Sequence, residues 1–290
     1  MSQKTRAMIC MLASSISFAL MAVMVRLAGN VPVVEKVFVR NIVALLIAAV
    51  IAFRQHAPLL GSRKSLPLLL GRSAFGVLGV MAYFYSIDRM TLADASMLNR
   101  LSPFFLLLIG AWVLRERLTR VQVPGMILVF AASLMVIKPR FDPEVIPALI
   151  GTAGALFAGG AYAMVRLLRT REQPATIVFF FAAFTALVML PFVLAHPYMP
   201  TTTEWWGLVG VGVFAAGGQF GLTLAYKYEQ ASEVSIYTYS QILFSAILGF
   251  ALFSEVPDLL STTGGILIIV ISGFVFLYNR QHRVIHPQNR

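Results

Sequence analysis

Gly125-Met-Ile-Leu-Val-Phe-Ala-Ala-Ser133 and Gly264-Gly-Ile-Leu-Ile-Ile-Val-Ile-Ser272 share one pattern, with Gly, Ile-Leu and Ser at the same offsets. The interval between them, 264 − 125 = 139 residues, also separates Glu116 from Glu255. In that ungapped register Phe18 meets Phe157, Gly71 meets Gly210, Phe75 meets Phe214, Gly79 meets Gly218, Ser96 meets Ser235 and Gly110 meets Gly249. Apolar sequences produce chance identities easily, so no single pair carries weight. Glycines and a glutamate falling into one register do. The repeat divides the chain into residues 1–140 and 141–290, with a linker near 138–146.

Each half resolves into five apolar runs of roughly 20 residues, the length that crosses a hydrocarbon core. The first half holds 7–28, 34–53, 67–87, 92–114 and 120–137; the second holds 147–167, 175–195, 205–226, 232–253 and 259–278. Turn chemistry marks the breaks: Gly29-Asn30 with Pro32, Pro58 with Gly61-Ser62, Pro139 and Pro143, Pro197 and Pro200, Pro257-Asp258. Hydrophobic residues make up 59% of the chain and charged ones 12%, too few polar side chains to cover a soluble domain. Strand-like alternation is missing, which argues against a β-barrel. Lys4 and Arg6 ahead of an apolar run imitate a signal peptide, but that run continues to Leu27 and reads as a first transmembrane helix. An odd number of runs per half makes the second half enter the membrane from the opposite face. The predicted fold is therefore all-α and integral to the membrane, with ten transmembrane helices as two inverted five-helix repeats. Such repeats recur in secondary transporters, whose substrate site lies at the repeat interface.

A formal charge of +11 would suggest nucleic acid in a soluble protein. In a membrane protein it suggests asymmetric loops. Assigning each of the 23 Lys and Arg residues to the nearer end of its run puts 16 on the side of the termini and 7 on the other. This bias predicts a cytoplasmic (inner) membrane protein with both termini in the cytoplasm. The expected partners are the lipid bilayer and a small-molecule substrate, with no nucleic acid. A monomer suffices for transport, and oligomeric state stays open. The single Cys10 cannot form an internal disulfide.

Glu35-Lys-Val-Phe-Val-Arg40 opens the second run and Ala93-Asp-Ala-Ser96 the fourth, with Pro103-Phe-Phe inside it. Leu114-Arg-Glu-Arg-Leu-Thr119 and then Gly125 follow its end. With these stretches the chain resembles the drug/metabolite transporter superfamily, specifically the EamA-type ten-helix permeases, over essentially its whole length. The second half matches more loosely, since Glu255 lacks the following Arg and Leu. The resemblance implies the fold and transport. It leaves the substrate open, because members carry amino acids, nucleotide-like metabolites, amines and drugs.

Enzyme chemistry is missing from the sequence. His56, His196, His282 and His286 lie in loops or the tail, and no run holds a His, Cys and carboxylate cluster for a metal. No G-x-S-x-G accompanies a buried His. No catalysis, metal or cofactor is expected.

Ionisable residues inside runs are functional candidates because burying them is costly. Arg100, with Asn99 beside it, is the deepest, roughly two turns into the fourth run. Pro103 cannot donate an amide to carbonyl 99 and its ring crowds that carbonyl, so a bent helix is expected beside the guanidinium. The competing reading pairs Arg100 structurally with Asp94. In the repeat register Thr238 answers Asn99, Tyr239 answers Arg100 and Gln241 answers Ser102, within the polar stretch Tyr237-Thr-Tyr-Ser-Gln241. Substrate-binding candidates are thus Asn99, Arg100, Tyr237, Tyr239 and Gln241, with Tyr83, Tyr85, Tyr162 and Gln219 as weaker candidates, because aromatics at helical spacing are more often packing residues. On a helix Tyr237 and Gln241 share a face, whereas Tyr239 sits nearly opposite.

Asp94 and Glu233, register mates in the first turns of the fourth and ninth runs, read first as helix caps and second as proton-coupling groups. Arg40 reads as a structural ion pair near Glu35 and Lys36, Arg26 as snorkelling, and Glu116 and Glu255 as loop anchors. The combined prediction is a secondary transporter moving a small organic metabolite or drug by alternating access, with its site between runs four and nine. Arg100 points to a carboxylate, phosphate or ring acceptor in the substrate. The alternative, a non-transporting membrane scaffold or lipid-binding protein, would confine polar residues to loops.

Overall fold

The computed structural model describes residues 2–113, 121–138, 145–229 and 234–285; Glu116 and Glu233 lie outside them. Every regular element among the described residues is helical. These are α1 (Gln3–Leu27), α2 (Val33–Arg54), α3 (Leu66–Ile87), α4 (Leu92–Asn99), α5 (Ser102–Val113), α6 (Gln122–Ile137) and α7 (Ile146–Leu168). Then come α8 (Pro174–Ala195), α9 (Thr202–Tyr228), a 3-10 turn (Ser235–Tyr239), α10 (Ser240–Phe253) and α11 (Leu259–Ile285). Counting α4 with α5 and the 3-10 turn with α10, nine described segments are long and apolar enough to cross a membrane. The shorter apolar α6 has 16 residues. These ten segments coincide with the ten predicted runs to within a few residues, except that α11 continues past 278.

Local chemistry sets the helix ends. The Ser2 hydroxyl accepts from the Thr5 amide, and Thr201 with Glu204 closes a reciprocal capping box. Proline occupies the first turns of α3, α7 and α8, where its missing amide proton costs nothing. After α1 the chain turns at Gly29, whose φ of +60 suits a residue without a side chain.

The fourth segment is broken where Pro103 predicts a bend. α4 stops at Asn99 and α5 begins at Ser102, so Arg100 and Leu101 form the joint. The ninth segment also departs from α-helix, in the 3-10 turn over Ser235–Tyr239. Subtracting the 139-residue repeat places that turn on 96–100. In that register the turn ends where the joint of the fourth segment begins, at Arg100.

The most extensive helix pairings are α1 with α9, α3 with α7, α2 with α8, α6 with α11 and α2 with α9; α5 also meets α7, α1 meets α10 and α3 meets α8. Exchanging each segment for its counterpart in the other half turns this set of pairs into itself. Glycine lets backbones approach at these crossings. A Cβ on Gly159 of α7 would lie 2.9 Å from the Ser102 carbonyl oxygen and 2.9 Å from the Leu106 amide nitrogen, so α7 presses directly on the joint of the fourth segment. Outward, Leu46, Phe53, Ile127, Leu187, Leu194 and Phe250 are all more than half exposed, as a lipid-facing surface requires. Trp205 and Trp206 sit exposed in the first turn of α9, the helix end where such side chains meet a membrane interface.

Candidate functional site

The joint between α4 and α5 delivers Arg100 to the middle of the bundle. Arg100 caps α4, and its amide is held by the carbonyls of Ser96 and Met97 at 3.1 Å each. The side chain is buried and donates from Nη2 to the Gln241 amide oxygen of α10. Gln241 Nε2 in turn donates to the Tyr83 hydroxyl at 3.0 Å, and that hydroxyl lies 3.3 Å from Ser96 Oγ. Ser96 donates onward to Ser245 at 2.7 Å. This chain of side chains ties segments three, four and nine together at the two irregular turns. A buried polar network of this kind fixes geometry because every broken link leaves an unpaired group.

Beside the joint lies a small cavity of about 50 Å³, bordered by Arg40, Arg72, Arg100, Asn99, Tyr83, Tyr162 and Gln219 on its polar side. Phe18, Met21, Val80 and Phe181 make the apolar wall. The space admits a few waters. Arg72 donates to the Gln219 amide oxygen at 2.8 Å and lies over the Phe181 ring, with its guanidinium carbon 3.6 Å from the centroid. Arg40 donates to the Asn41 amide oxygen at 2.9 Å and faces the same ring at 5.5 Å. A ring face attracts cations, but two guanidiniums on one ring also repel each other.

Charges at the bundle end opposite the termini are arranged differently. Lys36 is fully buried and reaches Asp88 Oδ1 at 2.7 Å, Oδ2 at 2.8 Å and the Gly29 carbonyl at 3.0 Å. Burial pushes the Asp88 carboxyl above its usual value, and the Lys36 ammonium opposes that shift. Arg26 pairs with Glu255 and donates to the carbonyls of Ile87 and Met90. Glu255 accepts from the Leu92 amide at 2.8 Å as well, and so clasps segments one, four and nine together. Lys138 pairs with Asp258.

The structure gathers Asn99, Arg100, Tyr83, Tyr162 and Gln219 around one cavity, with Gln241 attached through Arg100. It places Tyr237 and Tyr239 elsewhere. Tyr237 faces a cleft at the end of the termini with Lys4, Thr5 and Glu229, and Tyr239 packs among Met97, Ile242 and Ile268. Thr91 caps α4, its hydroxyl accepting from the Asp94 amide at 3.1 Å, while the Asp94 carboxylate faces the far-end cleft. No ion pair joins it to Arg100 among the described residues. Glu255 anchors a loop, as read from the sequence.

Three sequence readings need correction. Arg26 does not snorkel but is clasped by Glu255 and two carbonyls. Arg40 forms no ion pair among the described residues; Lys36 turns to Asp88 instead and leaves Arg40 at the cavity. Arg72, assigned in the charge tally to the end of its run on the side of the termini, is buried in the cavity wall. Spacing held a signal for it: Arg72, Gly76, Gly79, Val80 and Tyr83 all border the cavity and fall on one face of α3. Among the described residues no group of three His, Cys, Asp or Glu side chains gathers to hold a metal.

A multi-pass helical bundle with a small arginine-lined cavity beside a broken helix fits the architecture of a membrane transporter. The chain belongs to the EamA-like transporter family, which matches residues 5–138 and again residues 145–277. It is 36% identical over 260 residues to the pseudopaline exporter CntI of Pseudomonas aeruginosa, covering 89% of this chain and 91% of that one. A riboflavin transporter of Brucella anthropi is 24% identical, covering 89% of this chain and 94% of the relative. An S-adenosylmethionine uptake transporter of Rickettsia prowazekii is 23% identical, covering 74% and 72%. A protein of known crystal structure superposes with a TM-score of 0.73 at 16% identity, covering 96% of this chain and 98% of the other, which shows the fold.

Proposed function

We propose that this chain is a secondary carrier that exports a small organic molecule across the cytoplasmic membrane by alternating access, and that the cavity beside Arg100 is its substrate site. The observation that carries the reading is the placement of that cavity. It abuts the one joint in segment four, and Arg100 at that joint bonds Gln241 in the first turn of α10, directly after the 3-10 turn of segment nine. Irregular backbone at membrane depth is tolerated where it lines a cavity, and discontinuous helices at a repeat interface are the usual place for a carrier's site. The double family match and the exchange-invariant helix pairings support two inverted repeats. The excess of Lys and Arg on the side of the termini supports a cytoplasmic location for both.

A cavity of about 50 Å³ is too small for a metabolite, so loading requires the halves to part. The Arg26–Glu255 clasp and the Lys36–Asp88 pair tie helices together at the far end, beside a cleft that Arg26, Asp88 and Glu255 border. Export, with pseudopaline as the first compound to try, is suggested by the relative that is 36% identical. The test is expression in a pseudopaline-producing strain deleted for its own exporter. Restored secretion is expected, with loss of secretion in Arg100→Lys at equal membrane abundance. Retention of pseudopaline, together with a medium otherwise unchanged by expression, sinks the export reading.

A further inference from the structure

The charge of the cavity specifies its ligand more closely than its shape does. Arg40, Arg72 and Arg100 come from three different helices, are each at most 3% exposed, and all border the same small space. No Asp or Glu lines it, and none of the three arginines is in an ion pair among the described residues. The acceptors that meet them, on Asn41, Gln219 and Gln241, are neutral amide oxygens. Arg40 Nε, Arg72 Nε, Arg72 Nη1 and Arg100 Nε are buried with no protein acceptor at all. A guanidinium has five donors and a fixed positive charge, and burial without a partner is strongly unfavourable. A purely structural role does not explain the arrangement, because apolar residues of similar volume would pack as well or better. Arg26 shows what a structural arginine looks like in this molecule: a carboxylate and two carbonyls receive it.

On the reading that this cavity is the transport site, we propose that its substrate is a multivalent anion, a small organic molecule bearing at least two carboxylate or phosphate groups. The two arginines that share the Phe181 ring form one anchoring point, and Arg100 with Asn99 at the joint of segment four forms another. Each guanidinium offers a planar fork that matches a carboxylate or phosphate. The apolar wall of Phe18, Met21 and Val80 between them receives the part of the molecule that carries no charge. A cation is repelled by this site, and a neutral or singly charged ligand leaves most of the buried charge unbalanced.

The test compares metabolite profiles of the medium from cells expressing the wild-type protein, Arg40→Gln, Arg72→Gln or no protein, at matched membrane abundance. Compounds enriched by the wild type should carry two or more anionic groups, and both variants should lower that enrichment at least tenfold. Enrichment of neutral, cationic or singly charged compounds overturns this inference and leaves the transport reading standing. No enrichment of any compound overturns the transport reading and this inference with it. A second arm uses purified protein and melting temperature with millimolar tricarballylate, inorganic phosphate or butyrate at constant ionic strength. Stabilisation by tricarballylate but not phosphate assigns carboxylates, the reverse assigns phosphate, and both together assign either group. An equal shift with butyrate, or no shift with any of the three, overturns the proposal. Arg72→Gln should abolish the shift while melting no lower than wild type, which separates ligand loss from unfolding.

Discussion

Two sets of buried and half-buried cations occupy this molecule, one at its centre and one at the bundle end away from the termini. At that end every described pair is complementary: Lys36 with Asp88, Arg26 with Glu255, Lys138 with Asp258. At the centre Arg40, Arg72 and Arg100 meet amide oxygens and an aromatic ring, with no carboxylate. The same bundle thus pairs its cations with carboxylates at the far-end cleft and leaves those at the central cavity with neutral acceptors. The difference separates charge used to hold helices together from charge kept available.

The comparison breaks most visibly at Lys36. Its ammonium is fully buried, while Asp88 is about one-fifth exposed at 19%. Removing one partner of a buried pair leaves the other uncompensated, at a cost of roughly 3–5 kcal/mol. Lys36→Met should therefore lower the melting temperature of the purified protein more than any central arginine variant does. Adding Asp88→Leu should recover most of the loss, since both charges are then gone. A mild Lys36→Met phenotype would erase the distinction between the two ends.

The central arginines should behave in the opposite way. Arg100→Lys keeps the charge and loses the planar fork. A charge-assisted bond is worth about 1.5–3 kcal/mol, so transport should fall about ten- to a hundredfold with the melting temperature unchanged. Arg100→Met should melt at the wild-type temperature or above it, because a buried charge without a carboxylate has been removed. Parallel flux and melting measurements decide between this and a structural role: a large fall in melting temperature with normal flux would place Arg100 with Lys36.

Much of this was legible in the sequence because hydropathy and proline act locally. The ten segments follow from apolar runs, and the joint at Arg100 follows from Pro103. Arg100 stood out as a charge deep inside a run. Arg40 and Arg72 did not, because each lies near enough to a helix start to pass for an interfacial charge, and only the packing of α2, α3 and α8 around Phe181 turns them inward. Tyr237 and Tyr239 were placed by assuming α-helical periodicity. The segment is a 3-10 turn there, with three residues per turn instead of 3.6, so the faces rotate and only Gln241, in α10, meets Arg100. Which carboxylate would take which cation was unreadable, since Lys36–Asp88 and Arg26–Glu255 join residues far apart in the chain.

The weakest pair gives the finest test. Lys138 and Asp258 are 29% and 55% exposed, and solvent screening limits such a pair to less than about 1 kcal/mol. Asp258 has a second role, because its Oδ1 accepts from the Ser261 amide at 2.8 Å and caps α11. The Lys138 ammonium, followed by that amide, holds the Asp258 carboxyl down at about 2, against a usual 3.8. A carboxylate depressed on folding contributes its stability above the unfolded value and loses it as pH falls from 3.8 towards about 2. Asp258→Asn retains an oxygen for the cap and removes the charge. It should cost less than about 1 kcal/mol at neutral pH and flatten the acid limb of the melting curve. Asp258→Ala also removes the cap and should cost about 1 kcal/mol more. If Asp258→Asn proved as damaging as Lys36→Met, burial would not be what ranks the ion pairs at this end, and the contrast with the central arginines would lose its physical basis.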